Sequence, residues 1–279
     1  YHVLLASKPM MAEVELSSSS SCSSTLLVEE PLLPPKPTAP LPSDCCGTGC
    51  CPCVHDLYQD ELQLWKKQCA QIKGGKDTTS DIQDTGEDDL PAPIHPHSYS
   101  FFELKEITSL SSNTFLYTFH LEHNKSLQLK VGEHIVLKQV NEKEMTITRQ
   151  YTPVSELMDQ GKFEVLIKIY DKGRMTQLLK AWKIGDLIPW RGPFGKFSYS
   201  RNSFERILLL GAGTGIAPLY QVIRSVLADN DDETHMSLLY ASKTFPEILL
   251  RNELLELTSH WNFVMQHFLS KTDTIAVKK

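Results

Sequence analysis

No uninterrupted apolar stretch in this chain of 279 residues exceeds a few positions, and the run at 207–210 is typical. A bilayer-spanning helix requires about 20 such residues, so none is expected. Basic residues are outnumbered: 28 Lys and Arg face 34 Asp and Glu, giving a formal net charge of -6. With no basic stripe anywhere, a nucleic-acid surface is excluded as the main function. Residues 1–10 carry little positive charge and run into serines rather than a small-residue cleavage site, so they do not read as a leader. Neither a myristoylation glycine nor a prenylation box is present. The expectation is a soluble intracellular protein, cytoplasmic by the reading of its cysteines as reduced.

What is present can bury a core, since 41% of the residues are hydrophobic and the length suits two domains. Residues 1–44 are dominated by Ser17, Ser18, Ser19, Ser20 and Ser21 and by prolines between 31 and 42, a composition that predicts a disordered arm. Five of the seven cysteines follow at Cys45, Cys46, Cys50, Cys51 and Cys53, leading into a short amphipathic stretch through Leu62, Leu64 and Trp65. Residues 45–72 thus form a Cys-rich module. The spacing of Cys46, Cys50 and Cys53 suits thiolate ligation of zinc or an iron–sulfur cluster, with Cys45, Cys51 or His55 as a fourth ligand. No second Cys-x-x-Cys pair supports it, and a thiol-rich recognition peptide or a redox-sensitive pair fits as well. An acidic linker is predicted over 73–96.

From 97 to 200, short strand-like runs separated by turn-formers predict an antiparallel barrel, with strands near 114–121, 134–139 and 162–170. In the last of these Phe163, Val165, Ile167 and Ile169 share one face, leaving Lys168 and Tyr170 on a polar face that can line a site. From 201 to 279 the period changes. A fully buried strand at 207–210, helices at 216–227 and 246–260, and strands at 236–241 and 263–269 predict a partial parallel α/β domain.

The segment Arg149-Gln150-Tyr151-Thr152-Pro153-Val154-Ser155 combines a fixed, bidentate guanidinium suited to a diphosphate with a flat ring suited to a fused heterocycle. Gly173-Arg174-Met175-Thr176 follows a turn and opens a helix, a local geometry that favours anions. Gly211, Gly213, Thr214, Gly215 and Pro218 form a phosphate-type loop after a buried strand, yet position 216 is Ile, so the ordinary dinucleotide fingerprint fails on spacing.

In their order these motifs resemble the ferredoxin reductase-like flavoenzymes, and the cytochrome b5 reductases in particular. The resemblance implies FAD held by Arg149, Gln150, Tyr151, Thr152, Ser155, Leu166, Lys168, Tyr170, Gly173, Arg174, Met175 and Thr176. It implies NADH at Gly211, Gly213, Thr214, Gly215 and Pro218, a proton relay through His134 and Thr152, and cytochrome b5 or another redox protein as acceptor. The segment at 190–195 matches the family's Arg-Gly-Pro turn between domains. Gln150 stands where many members have proline, and the family's Cys-Gly-Pro segment and terminal aromatic have no counterpart in this sequence. The nucleotide domain is therefore expected to be incomplete, as an alternative splice product or a shortened chain, with its first strand left as an apolar edge. FAD binding should then survive better than NADH binding, and the alternative function is a silent flavin-binding or interaction protein.

Overall fold

The computed structural model describes residues 33–34, 36–42, 53–73 and 92–271. Cys45, Cys46, Cys50 and Cys51, most of the predicted arm, and the acidic stretch at 74–91 lie outside the described residues.

Six strands, β1 Ser100–Ser111, β2 Thr114–His120, β3 His134–Val140, β4 Thr146–Tyr151, β5 Lys162–Lys168 and β6 Leu187–Phe194, form an antiparallel sheet in the order β4-β3-β6-β1-β2-β5. Register shifts bend β1 between Leu104 and Glu106 and again between Ser109 and Ser111. Such bulges let one strand serve two neighbours. A bridge pairing Pro153 with Val165, and the bond from Val154 N to Glu164 O at 2.8 Å, bring the end of β4 onto β5. The sheet therefore closes into a barrel. Its alternating positions deliver aromatic rings to one interior: Phe119 stacks on Phe163 at 4.9 Å, and Trp190 meets them edge-on at 5.3 and 5.9 Å. Each such pair adds about 0.5–1.5 kcal/mol beyond area burial. Helix α1, Val54–Lys73, precedes the barrel in sequence, and α2, Arg174–Leu179, closes one barrel end through buried Met175 and Leu179.

A second sheet follows, with β7 Arg206–Ala212, β8 His235–Ser242 and β9 Phe263–Leu269 all parallel in the order β7-β8-β9. Helices α3 Ile216–Leu227 and α4 Arg251–Leu257 connect them and share a core with one sheet face, where Leu209, Leu238, Tyr240 and Phe263 meet Ile216, Tyr220, Ile223 and Leu254. This parallel unit and the barrel before it are the two-domain α+β class read from the sequence.

Three local expectations need correction. The run at 207–210 is not fully buried: Leu208 and Leu210 are 61% and 65% exposed, because among the described residues no element covers that sheet face. The helix predicted over 246–260 is reduced to a turn at Phe245–Glu247 and α4, since Leu250 adopts a left-handed φ of 53° while Ile248 and Leu249 turn inward to be buried. The predicted turn at 190–195 is mostly strand, with Trp190 and Arg191 pairing Leu137 and Val136.

The two sheets are joined through α3. Gln221, buried, accepts from Gly132 N at 2.5 Å and donates to Glu133 O at 3.2 Å, while Arg224 pairs with Glu156 and reaches Val154 O at 3.4 Å. Behind the linking residues, Asp232 accepts from Tyr199 Oη at 2.6 Å and Thr234 N at 3.1 Å. Partial burial pushes its carboxyl up, but these hydrogen bonds outweigh it and hold it below the usual range.

Helix α1 packs on the barrel. Leu57, Glu61 and Cys69 recur at helical spacing along its buried stripe, and Asp56 accepts from Cys53 N at 2.9 Å at its start. The segment at 36–42, inside the predicted arm, lies nearby: Pro37 is buried, Trp65 Nε1 donates to Pro34 O at 2.7 Å, and Lys36 sits over the Trp65 ring.

Candidate active site

The pairing of β3 with β4 sets Ile135 against Tyr151 and Leu137 against Arg149, fixing which side chains of β4 reach the barrel mouth. Tyr151 leans edge-on against Trp190 at 5.8 Å, and burial pushes its phenol well above the ordinary range, with the Arg149 charge pulling weakly the other way. The ring is therefore a neutral, rigid plate. Arg149 Nη1 donates to Thr148 O at 2.8 Å, which orients the guanidinium along the strand.

Opposite β4, the turn at 170–173 is organised by Thr176. Its hydroxyl accepts from Tyr170 N and donates to Tyr170 O, both at 3.1 Å, while Gln177 Nε2 donates to the same carbonyl at 2.6 Å. Thr176 thus shapes the anion turn rather than offering a free hydroxyl to it. Gly173 has no room for a side chain: an added Cβ would collide with Thr176 Oγ1 and lie 3.1 Å from Tyr170 Cβ.

The nucleotide-type loop is a single tight turn, Gly213–Gly215, leading into α3, with Gly213 at a φ of 52° and its carbonyl held by Tyr240 Oη at 2.9 Å. Thr214, Ala217 and Pro218 face the same cleft of about 320 Å³ as Arg149, Gln150, Tyr151, Thr152, Leu166, Lys168, Tyr170, Gly173, Arg174, Met175 and Thr176. Ala217 was not anticipated, because a helical alanine carries no chemical signal. Lys168 has Glu247 4.0 Å away across the cleft.

Some predicted residues stand elsewhere. Ser155 Oγ accepts from Glu164 N at 3.1 Å and helps close the barrel. Gly211 is spaced for close packing, where an added Cβ would approach Leu219 Cδ1 to 2.7 Å. His134 lies one residue beyond the Ile135–Tyr151 pair on β3, as Thr152 does on β4, and its buried Nε2 has no hydrogen-bond partner among the described residues. Burial lowers its pKa, so the imidazole is neutral at pH 7. Of the thiolate candidates, Cys53 is half-buried at the start of α1, and no group of three or more potential ligands occurs among the described residues.

His267 shares the lowered pKa, from burial first and then from the Arg251 charge. A depressed histidine pKa means that the unfolded chain takes protons first, so this contribution to stability is complete above about pH 6.5 and is lost as pH falls. Melting temperature should drop between pH 7.5 and 5.5, and His134→Gln should shrink the drop; equal drops in both proteins would show that His134 does not titrate this way.

The residues fit a flavin dinucleotide: a cationic centre, a neutral aromatic plate and a side-chain-free turn share one cleft, with the phosphate-type loop at its rim. Residues 101–199 match the oxidoreductase FAD-binding domain family, 209–276 the oxidoreductase NAD-binding domain family, and 31–74 the N-terminal family of oxidoreductase-like proteins. The chain is 38% identical over 234 residues to human NADH-cytochrome b5 reductase-like, spanning 84% of this chain and 72% of that one. The mouse protein of the same name is 38% identical over 227 residues, 81% and 71% of the two chains. Among solved structures, the cytochrome b5 reductase domain of Ulva prolifera nitrate reductase superimposes with a TM-score of 0.61 at 30% identity, covering 66% of this chain and 78% of that one. No helix among the described residues is long and apolar enough to cross a membrane. The chain belongs to the cytochrome b5 reductase family and is an oxidoreductase that uses FAD and NADH.

Proposed function

We propose that this chain accepts hydride from NADH at FAD and releases electrons singly to cytochrome b5 or a similar haem acceptor. The observation that carries the reading is the convergence of the Arg149, Gly173 and Thr214 segments on one cleft. Bound flavin supplies hydride acceptance coupled to one-electron release. The remaining work is the protein's own. Arg149 and Arg174 would hold the diphosphate, and the neutral Tyr151 ring would orient the fused heterocycle against the barrel. Thr152, which lines the cleft, would hold a proton there, and the neutral His134 imidazole, one residue past the Ile135–Tyr151 pair, would resupply it. The acceptor assignment draws on the names of the relatives.

Purified chain should show oxidised flavin absorbance, bleach on anaerobic addition of NADH, and then reduce added cytochrome b5. A preparation that is colourless and stays so with added FAD would overturn the reading; bleaching without haem reduction would move the acceptor elsewhere. A second reading, a flavin binder impaired toward NADH, is favoured by one observation. Among the described residues β7 pairs only with β8 and leaves Leu208 and Leu210 in the open, so one wall of the nucleotide crevice is uncovered. Stable flavin absorbance with bleaching far slower than in other family members would select it.

A further inference from the structure

We infer that the nucleotide site takes a 2′-phosphate at Lys243 and Lys271, just past the ends of β8 and β9, so that the chain uses NADPH as well as NADH. The inference rests on the nucleotide reading of the Gly213–Gly215 loop and goes beyond the relatives' names, which give NADH alone. In an open parallel sheet the ligand lies outside the carboxyl ends of the strands, with its diphosphate at the loop between the first strand and its helix. The adenosine ribose then falls beside the end of the next strand, here β8, which runs ~4.8 Å from β7, with β9 as far again beyond. What stands there decides between the two nucleotides. A carboxylate accepts from the ribose 2′-hydroxyl and repels a phosphate in its place, whereas a cation accommodates the phosphate.

β8 runs into Ser242-Lys243-Thr244 and β9 into Ser270-Lys271, so neither end carries an acid. Lys271 N donates to Lys243 O at 2.8 Å and Ser270 N to Ser242 O at 3.0 Å, so the ladder continues past both strands and brings the two lysines to one crest. Both are exposed, and neither forms an ion pair among the described residues. Tyr240, two residues before Ser242 on β8, ties this crest to the loop, its hydroxyl donating to Gly213 O at 2.9 Å.

The surroundings add positive charge rather than cancel it. Arg251, at the start of α4, lies close enough for its charge to help hold His267 of β9 neutral. The carboxylates packed nearby are engaged elsewhere: Glu247 faces Lys168 at 4.0 Å across the flavin cleft, and the charge of Glu253 is felt at Tyr220 on α3. The crest is therefore locally basic in a chain whose formal net charge is -6. Cations without a counter-ion repel one another; a phosphate dianion relieves that repulsion, and a 2′-hydroxyl does not.

Adenosine 2′,5′-bisphosphate and 5′-AMP present the adenosine end with and without the 2′-phosphate, and neither can be turned over. Titrated by calorimetry into the flavin-loaded full chain, the bisphosphate is expected to bind about tenfold tighter, and NADPH to bleach the flavin within about fivefold of the NADH rate. Lys243→Gln combined with Lys271→Gln should bring the two mononucleotides within about twofold of each other by weakening the bisphosphate alone, and Lys243→Glu with Lys271→Glu should reverse their order. Retained flavin absorbance identifies the folded variants, and the neutral pair decides the matter should the acidic pair not fold. Equal affinity of the wild-type chain for the two mononucleotides, or a tenfold preference that survives the neutral pair, overturns the 2′-phosphate site alone. A flavin-loaded chain that binds neither mononucleotide overturns the nucleotide reading of the loop, and this inference with it.

Discussion

Arg149→Ala is expected to weaken FAD binding by about 2–3 kcal/mol, roughly 30- to 150-fold in Kd, because a charge-assisted, bidentate contact to the diphosphate is lost where partly buried surroundings strengthen it. Arg149 lines the cleft beside Tyr151 and Gly173, and a neighbouring carbonyl 2.8 Å away holds its guanidinium along the strand. No other group on β4 can take over, since Gln150 and Thr148 are neutral. Arg149→Lys should recover only part of the affinity: an ammonium keeps the charge but not the planar fork. The clean measurement is the increase in melting temperature that saturating FAD gives each protein, since ligand stabilisation follows RT ln(1 + [L]/Kd) and a 100-fold weaker Kd removes about 2.7 kcal/mol of it. An FAD-induced shift as large in Arg149→Ala as in wild type would mean that the diphosphate lies elsewhere.

The gathering of these residues around one cleft was legible in the sequence because their chemistry is local. Arg149, Tyr151 and Thr152 are near neighbours on one strand, and Gly173 to Thr176 is a single turn, so residue order alone predicts the geometry. Helix α3 was equally plain, its apolar period running unbroken from Ile216 to Leu227. Elsewhere tertiary contacts decided the outcome. The run at 207–210 reads as buried on both faces, yet only Ile207 and Leu209 join the core shared with the helices, and Leu208 and Leu210 point to the opposite side. The second predicted helix of the parallel unit breaks at Leu250, where burial of Ile248 and Leu249 overrides the reluctance of a branched residue toward positive φ. Helix α1 looked short and amphipathic through Leu62 and Trp65, but its buried stripe runs through Leu57, Glu61 and Cys69. A carboxylate in such a stripe reads as solvent-facing until its partner is known, and that partner, Arg191, belongs to a distant strand.

Glu61→Ala is expected to destabilise the folded chain by about 3–5 kcal/mol, the range for removing one partner of a buried ion pair. The size follows from what remains. Arg191 would keep its bond to Pro96 O at 2.8 Å and its positions over the Tyr99 and Phe194 rings at 5.5 and 5.0 Å, but no anion would stay beside a guanidinium that solvent does not reach. Its Nη2 already has no partner among the described residues. Tyr99, whose hydroxyl bonds both groups, cannot ionise to replace the carboxylate, because burial pushes its phenol far above the ordinary range even with Arg191 at 3.1 Å. At about 2–4 °C per kcal/mol for a folded unit of this size, melting should fall by roughly 10 °C. Trp65 on the same helix should report the loosening in its fluorescence. Replacing both partners by apolar residues, Glu61→Leu with Arg191→Met, should recover most of the loss, since desolvation of the two charges disappears along with their attraction. A Glu61→Ala protein that melts within about 2 °C of wild type would show that water reaches the pair and that α1 is held to the barrel by Leu57 and Cys69 instead.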